Sequence, residues 1–105
     1  MPQLYKKRPF HIGTARFTNK TYSENINWKA RKEWKGCIYG FDKKIPTNIN
    51  TNDYIFIIEM NNEQNKIMGI GLIQNIYKPG NRSRIYHSST WNRYVYKGNN
   101  HIRNS

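Results

Sequence analysis

The chain is poor in acid, in cysteine and in long apolar runs, and each shortage removes a class of protein. Only six Asp and Glu stand against eighteen Lys and Arg in 105 residues, a formal charge of +12. Cys37 is alone, so no internal disulfide can form, and the expected compartment is reducing and intracellular, cytoplasmic or nuclear. No window approaches the roughly eighteen apolar residues that a spanning helix needs, so no membrane partner is expected. No apolar stretch follows Lys6, Lys7 and Arg8, which argues against a secretory signal. His11, His87 and His101 lie far apart in sequence, and beside a single cysteine they offer no zinc spacing. Gly69 and Gly71 lack the rest of a dinucleotide fingerprint and sit inside a strand pattern rather than before a helix. No metal and no cofactor is therefore expected.

What the chain has is charge, aromatics and isoleucine. Its length suits one domain over residues 1–105, able to bury roughly two-thirds of the unfolded surface. Fourteen Ile, three Trp and eight Tyr are far more than a disordered basic tail carries, so the chain is expected to fold. The charge is uneven. Residues 1–48 hold eleven basic and three acidic side chains, residues 77–105 hold six basic and no acidic ones, and the stretch between is mildly acidic. Such an excess exceeds what solubility needs and points to an anionic polymer as partner.

The clearest structural pattern is a hairpin. Asp53 to Met60 and Lys66 to Gln74 are two strand-like runs joined by Asn-Asn-Glu-Gln-Asn. Both faces of the first run are largely apolar, which suits a central strand. In the second, Gly69 and Gly71 share a face, where they allow either a close approach to the backbone or a sharp bend. A helix is expected over 24–35, capped by Ser23 and stopped by Gly36, with Ile26 and Ala30 on its buried stripe. Trp28 falls on another face, exposed or packed against a second surface. Further strands are expected at 10–17, 37–41, 84–87 and 93–97, with a turn over 78–83 and a bend at 88–92. The sum is an α+β chain, a small mixed barrel of five or six strands with one or two short helices.

Chemistry by nucleophile or acid finds little support. Cys37 sits in a strand pattern typical of inert buried thiols, and Asp42, Asp53, Glu59 and Glu63 form no obvious carboxylate pair. No catalytic residue is assigned. Interleaving of aromatic and basic side chains is more informative. Trp28, Trp34, Tyr39 and Trp91 lie near Lys29, Arg31, Lys32, Lys35 and Arg93, and Arg82 and Arg84 extend the basic set. Cationic grooves with stacking faces are how single-stranded nucleic acid is bound, and a cage of rings can enclose one extruded base.

Asp53-Tyr-Ile-Phe-Ile-Ile-Glu59, a turn, then Lys66-Ile-Met-Gly-Ile-Gly-Leu-Ile resembles the central hairpin of PUA-like domains, particularly the EVE and ASCH groups. Trp34-Lys-Gly-Cys-Ile-Tyr-Gly40 is similar to the Trp-x-Gly segment of EVE domains. The likeness covers about residues 28–75. It departs from the family at Asn52, where a Gly is usual, and at Tyr39-Gly40, where Arg-Asn is usual. The ASCH pattern Gly-x-Lys-x-x-Thr is absent, which argues against ASCH-type hydrolysis. The resemblance implies a PUA-like barrel that reads a modified base through an aromatic pocket, with Trp28, Trp34, Tyr39 and Trp91 as its candidates. The expected function is thus a nucleic-acid-binding module, with RNA ahead of DNA. A small enzyme on a nucleoside or nucleic acid, using Glu59, Asp53 or Cys37, and a basic protein-interaction module are the alternatives.

Overall fold

A computed structural model of the chain describes residues 10–78 and 83–104. Among these, the order is β1 (His11–Phe17), α1 (Asn19–Arg31), β2 (Cys37–Phe41), β3 (Tyr54–Asn61), β4 (Lys66–Gln74), a 3-10 turn (Ser89–Asn92), β5 (Tyr94–Gly98) and β6 (Asn100–Arg103). The fold is α+β, with six described strands in two sheets. One sheet runs β1-β3-β4-β6 and the other is the antiparallel pair β2-β5. The two are not hydrogen-bonded into a closed barrel among the described residues.

The hairpin forms as its alternation predicts. β3 and β4 pair antiparallel, from Tyr54 opposite Gln74 to Asn61 opposite Lys66, with an irregularity between Glu59 and Met60. β3 is central, because β1 pairs with its other edge in parallel. Ile55, Ile57 and Glu59 face the interior, while Tyr54 and Phe56 face outward. The loop is closed by Asn61, whose Oδ1 accepts from the backbone N–H groups of Glu63 and Gln64. Its Nδ2 donates to Asn19 at the start of α1.

The helix begins five residues before its expected start. Thr18, not Ser23, is the N-cap, and it forms a reciprocal box with Thr21. Thr21 N–H donates to Thr18 Oγ1 at 3.1 Å, and Thr18 N–H donates to Thr21 Oγ1 at 2.9 Å. The end also differs. Glu33 takes a left-handed φ of 52°, and Trp34 N–H donates to Lys29 O while Glu33 N–H donates to Ala30 O. That bond pair is a Schellman motif with glutamate where glycine is usual, so the helix stops at Arg31 and not at Gly36. Its buried side is Tyr22, Asn25 and Trp28, one turn apart, while Ala30 is exposed.

Residues 84–87 are not a strand. The N–H groups of Ile85 and Tyr86 both donate to Asn92 Oδ1, at 3.0 and 2.9 Å, and Asn92 Nδ2 donates back to Tyr86 O at 2.7 Å. An asparagine side chain thus takes the hydrogen bonds that a neighbouring strand would have taken. The sixth strand is instead β6, four residues pairing with β4, too short and polar to read from its pattern.

The core lies between the two sheets and α1. Cys37, Ile38, Tyr39, Ile73 and Tyr96 are essentially inaccessible to solvent. At its centre is a polar cluster. Tyr39 hydroxyl donates to Glu59 Oε2 at 2.5 Å, and His101 Nε2 lies 2.9 Å from the same oxygen. This ties β2, β3 and β6 together beneath β4, where Gly69 and Gly71 leave room. A Cβ on Gly71 would sit 2.1 Å from Tyr39 Oη and 2.7 Å from Cys37 Sγ, and one on Gly69 would sit 2.9 Å from Glu59 Oε1. The glycines therefore serve close approach.

Burial raises the phenol of Tyr39, with Cys37 and Glu59 adding to the effect. Burial also pushes Tyr86 up to about 12, against the hydrogen bond from Asn25, which lowers it. The fold holds these protons more tightly than the unfolded chain, whose phenols ionise near 10. Their contribution is therefore complete below pH 10 and is lost as the pH rises toward 12. In an alkaline titration followed by tyrosinate absorbance and circular dichroism, unfolding and the last tyrosinate absorbance should rise together in that window. Full tyrosine ionisation with the fold intact would contradict this.

Candidate functional site

Among the described residues, β1 and β2 each end a sheet, so each has one edge with no neighbouring strand. A cleft of about 360 Å³ lies where these edges approach, lined by Thr14 to Phe17 of β1 and Tyr39 to Phe41 of β2. Thr18 and Thr21 of the α1 cap, Asn62, Tyr86 and Trp91 complete it. Five of the lining residues are aromatic: Phe17, Tyr39, Phe41, Tyr86 and Trp91. Trp91 is 44% exposed and stands at the open side, while Phe17, Tyr39 and Tyr86 are buried.

Each wall is held by short-range chemistry. Tyr86 is fixed by Asn92 through its backbone and by Asn25, whose Nδ2 donates to its hydroxyl at 3.0 Å. The same Asn25 nitrogen donates to Ile38 O at 2.7 Å, occupying that carbonyl on the free edge of β2. Gly40 allows the 3-10 turn to dock, since a Cβ there would meet Trp91 O at 1.8 Å and Tyr86 at 3.1 Å. On β1, Phe17 O accepts from Asn62 N–H on the β3 side. Strand alternation therefore points the N–H and C=O groups of Thr14 and Arg16 toward the free edge. The first turn of α1 carries no acid, so its positive end faces this region uncompensated. Arg16 is the charged side chain among the described lining residues.

The four aromatic candidates divide. Tyr39 and Trp91 line the cleft, with the Tyr39 hydroxyl committed to Glu59. Trp28 and Trp34 do not line it. Trp28 is buried in the core, and half-buried Trp34 donates its ring N–H to Cys37 O at 3.0 Å. Lys97 Nζ lies over both rings, 5.3 Å from the Trp28 centroid and 5.7 Å from that of Trp34. The basic candidates also divide. Arg31, Lys32 and Lys35 are exposed at the far end of α1, and burial lowers the pKa of half-buried Lys29. Arg84 and Arg93 line a second cavity, of about 560 Å³, together with Ser89 and Asn92 of the 3-10 turn. Arg82 lies outside the described residues.

Sequence reasoning missed Arg16, Phe17, Phe41 and Tyr86, and the two asparagines that hold the cleft in shape. Tyr86 in particular was hidden by the strand reading of 84–87. None of Cys37, Asp53 and Glu59 lines the cleft: Asp53 pairs with His11 at 3.0 Å, Glu59 lies in the core cluster, and Cys37 packs beneath Gly71. Among the described residues, no group of three His, Cys, Asp or Glu is placed to hold a metal. No described helix is long and apolar enough to cross a membrane.

No protein-family model matches the chain, and neither a curated protein nor a solved structure matches it.

Proposed function

We propose that the chain is a nucleic-acid-binding module that takes one base, extruded from a single strand, into the cleft between β1 and β2. The observation that carries this reading is the convergence of five aromatic residues on one cavity of about 360 Å³, a size usual for small-ligand pockets. Flat rings select a flat ligand, and the free strand edge at Thr14 and Arg16 offers donors and acceptors to its polar rim. A nucleobase has both properties. Arg16 and the positive end of α1 are placed for a neighbouring phosphate. The charge of +12 supplies the long-range attraction.

The reading includes a PUA-like architecture with an opened barrel. Asn52, where the family has glycine, has a left-handed φ of 73°, the conformation that glycine favours and asparagine tolerates. RNA is the preferred strand because single-stranded RNA offers unstacked bases.

The test is titration of labelled single-stranded RNA and DNA at two salt concentrations. With three or more phosphates neutralised, log K should fall with log salt at a slope of about −2 or steeper. Absence of binding to either strand at low salt overturns the proposal.

A second reading, a protein-contact surface, has its own observation. Ile12, Phe56, Ile70 and Ile102 form an exposed apolar face on the outside of the four-stranded sheet.

A further inference from the structure

The second cavity is lined by the same turn that presents Trp91. Ser89 and Asn92 of that four-residue turn line it, as do Arg84, Arg93, Tyr77 and Tyr94. Trp91, from the same turn, lines the aromatic cleft. A 3-10 turn of four residues is roughly 8 Å long, so the residues it gives to the two cavities lie within about that distance along its axis.

The chemistry of this groove differs from that of the cleft. Arg84 and Arg93 are both exposed, and no acidic side chain is among the described lining residues. Tyr77 and Tyr94 meet edge to face with centroids 5.3 Å apart. Lys44 Nζ stands 5.0 Å from the Tyr77 centroid and 5.9 Å from that of Tyr94. Two planar guanidinium forks beside two phenol rings match a phosphate joined to a ring that can stack. The cleft, with five aromatic residues and one arginine, matches a base with at most one phosphate at its rim.

We infer that this groove is a second binding site, for the nucleotide adjacent to the one whose base enters the aromatic cleft. The inference rests on the base-binding reading above and extends it: the ligand is single-stranded and at least a dinucleotide, laid across the 3-10 turn. One sugar–phosphate unit bridges the turn, with its phosphate on Arg84 and Arg93 and the next base on Tyr94. A continuous duplex would keep both bases stacked and fill neither cavity.

The experiment compares a nucleoside without phosphate, a trinucleotide and a duplex of the same sequence against wild type, R84A/R93A and W91A, with thermal melts confirming folding. The trinucleotide should bind wild type at least about tenfold more tightly than the nucleoside, and more tightly than the duplex. R84A/R93A should remove that gain and reduce the trinucleotide's salt slope by about 0.7, the share of the one phosphate the two arginines hold. An unchanged trinucleotide-to-nucleoside ratio in R84A/R93A, or equal affinity for the duplex, overturns the inference. If W91A binds every ligand as wild type does, the base-binding reading has failed instead, and the inference falls with it.

Discussion

Gly71→Ala should destabilise the fold by about 3 kcal/mol or more, seen as a drop in Tm of at least ~12 °C. The added Cβ would lie 2.1 Å from Tyr39 Oη and 2.7 Å from Cys37 Sγ, both on β2 and both buried. Neither can swing clear. Tyr39 is held by its 2.5 Å bond to Glu59, and the Glu59 carboxyl is shared with His101. Making room breaks the bond to the carboxyl and leaves a buried polar group short of a partner, which costs more than the overlap itself. Gly13→Ala provides the contrast. Its Cβ would meet the tip of the Ile57 side chain at 3.1 Å and Ile55 Cγ2 at an ordinary 3.6 Å, and should cost less than about 1 kcal/mol. The mechanism has its own check. Tyr39→Phe removes the oxygen that the new methyl would strike, so Tyr39→Phe and Gly71→Ala should be strongly non-additive in denaturant melts. Additive losses would place the clash elsewhere.

Trp91→Ala should weaken single-stranded RNA binding by about 5- to 150-fold, the span of roughly 1–3 kcal/mol per stacked base. It should do so with little loss of stability, because Trp91 is 44% exposed and the 3-10 turn is docked by its backbone against Gly40. Trp28→Ala should do the reverse. That ring is 4% exposed within the core, so its loss should cost about 3–5 kcal/mol and alter binding only through unfolding. The pair separates a binding tryptophan from a structural one. Fluorescence anisotropy for affinity and thermal melts for stability provide the two readouts. Equal binding losses in both variants at full folding would contradict the division.

What could be read from the sequence follows from how local each signal is. The β3–β4 hairpin was legible because its alternation, turn residues and pairing lie within 22 residues. The helix was legible in kind but not in register: Thr18 and Thr21 cap it from the gap between the strand read at 10–17 and the cap expected at Ser23, and Glu33 ends it in a conformation usually left to glycine. The cleft depends on distance in sequence. Phe17, Phe41 and Tyr86 meet only because β1, β2 and the segment before the 3-10 turn line one cleft, and Tyr86 is placed by two asparagines, Asn25 and Asn92. Nothing about an isolated asparagine announces such a role. The charge was legible as an amount and as a bias to the two ends. Its placement was not: Arg16, Arg84 and Arg93 reach cavities, while Lys97 lies over the rings of Trp28 and Trp34.

The central claim is that one base, and one only, enters the cleft. An abasic scan tests it most directly: a short single-stranded RNA is made with the base removed at each position in turn, and each is titrated against wild type and Trp91→Ala. The account predicts one position at which removal costs wild type about 5- to 150-fold, and at which Trp91→Ala shows little further sensitivity. A scan in which every position costs the same small amount, unchanged by Trp91→Ala, would contradict it.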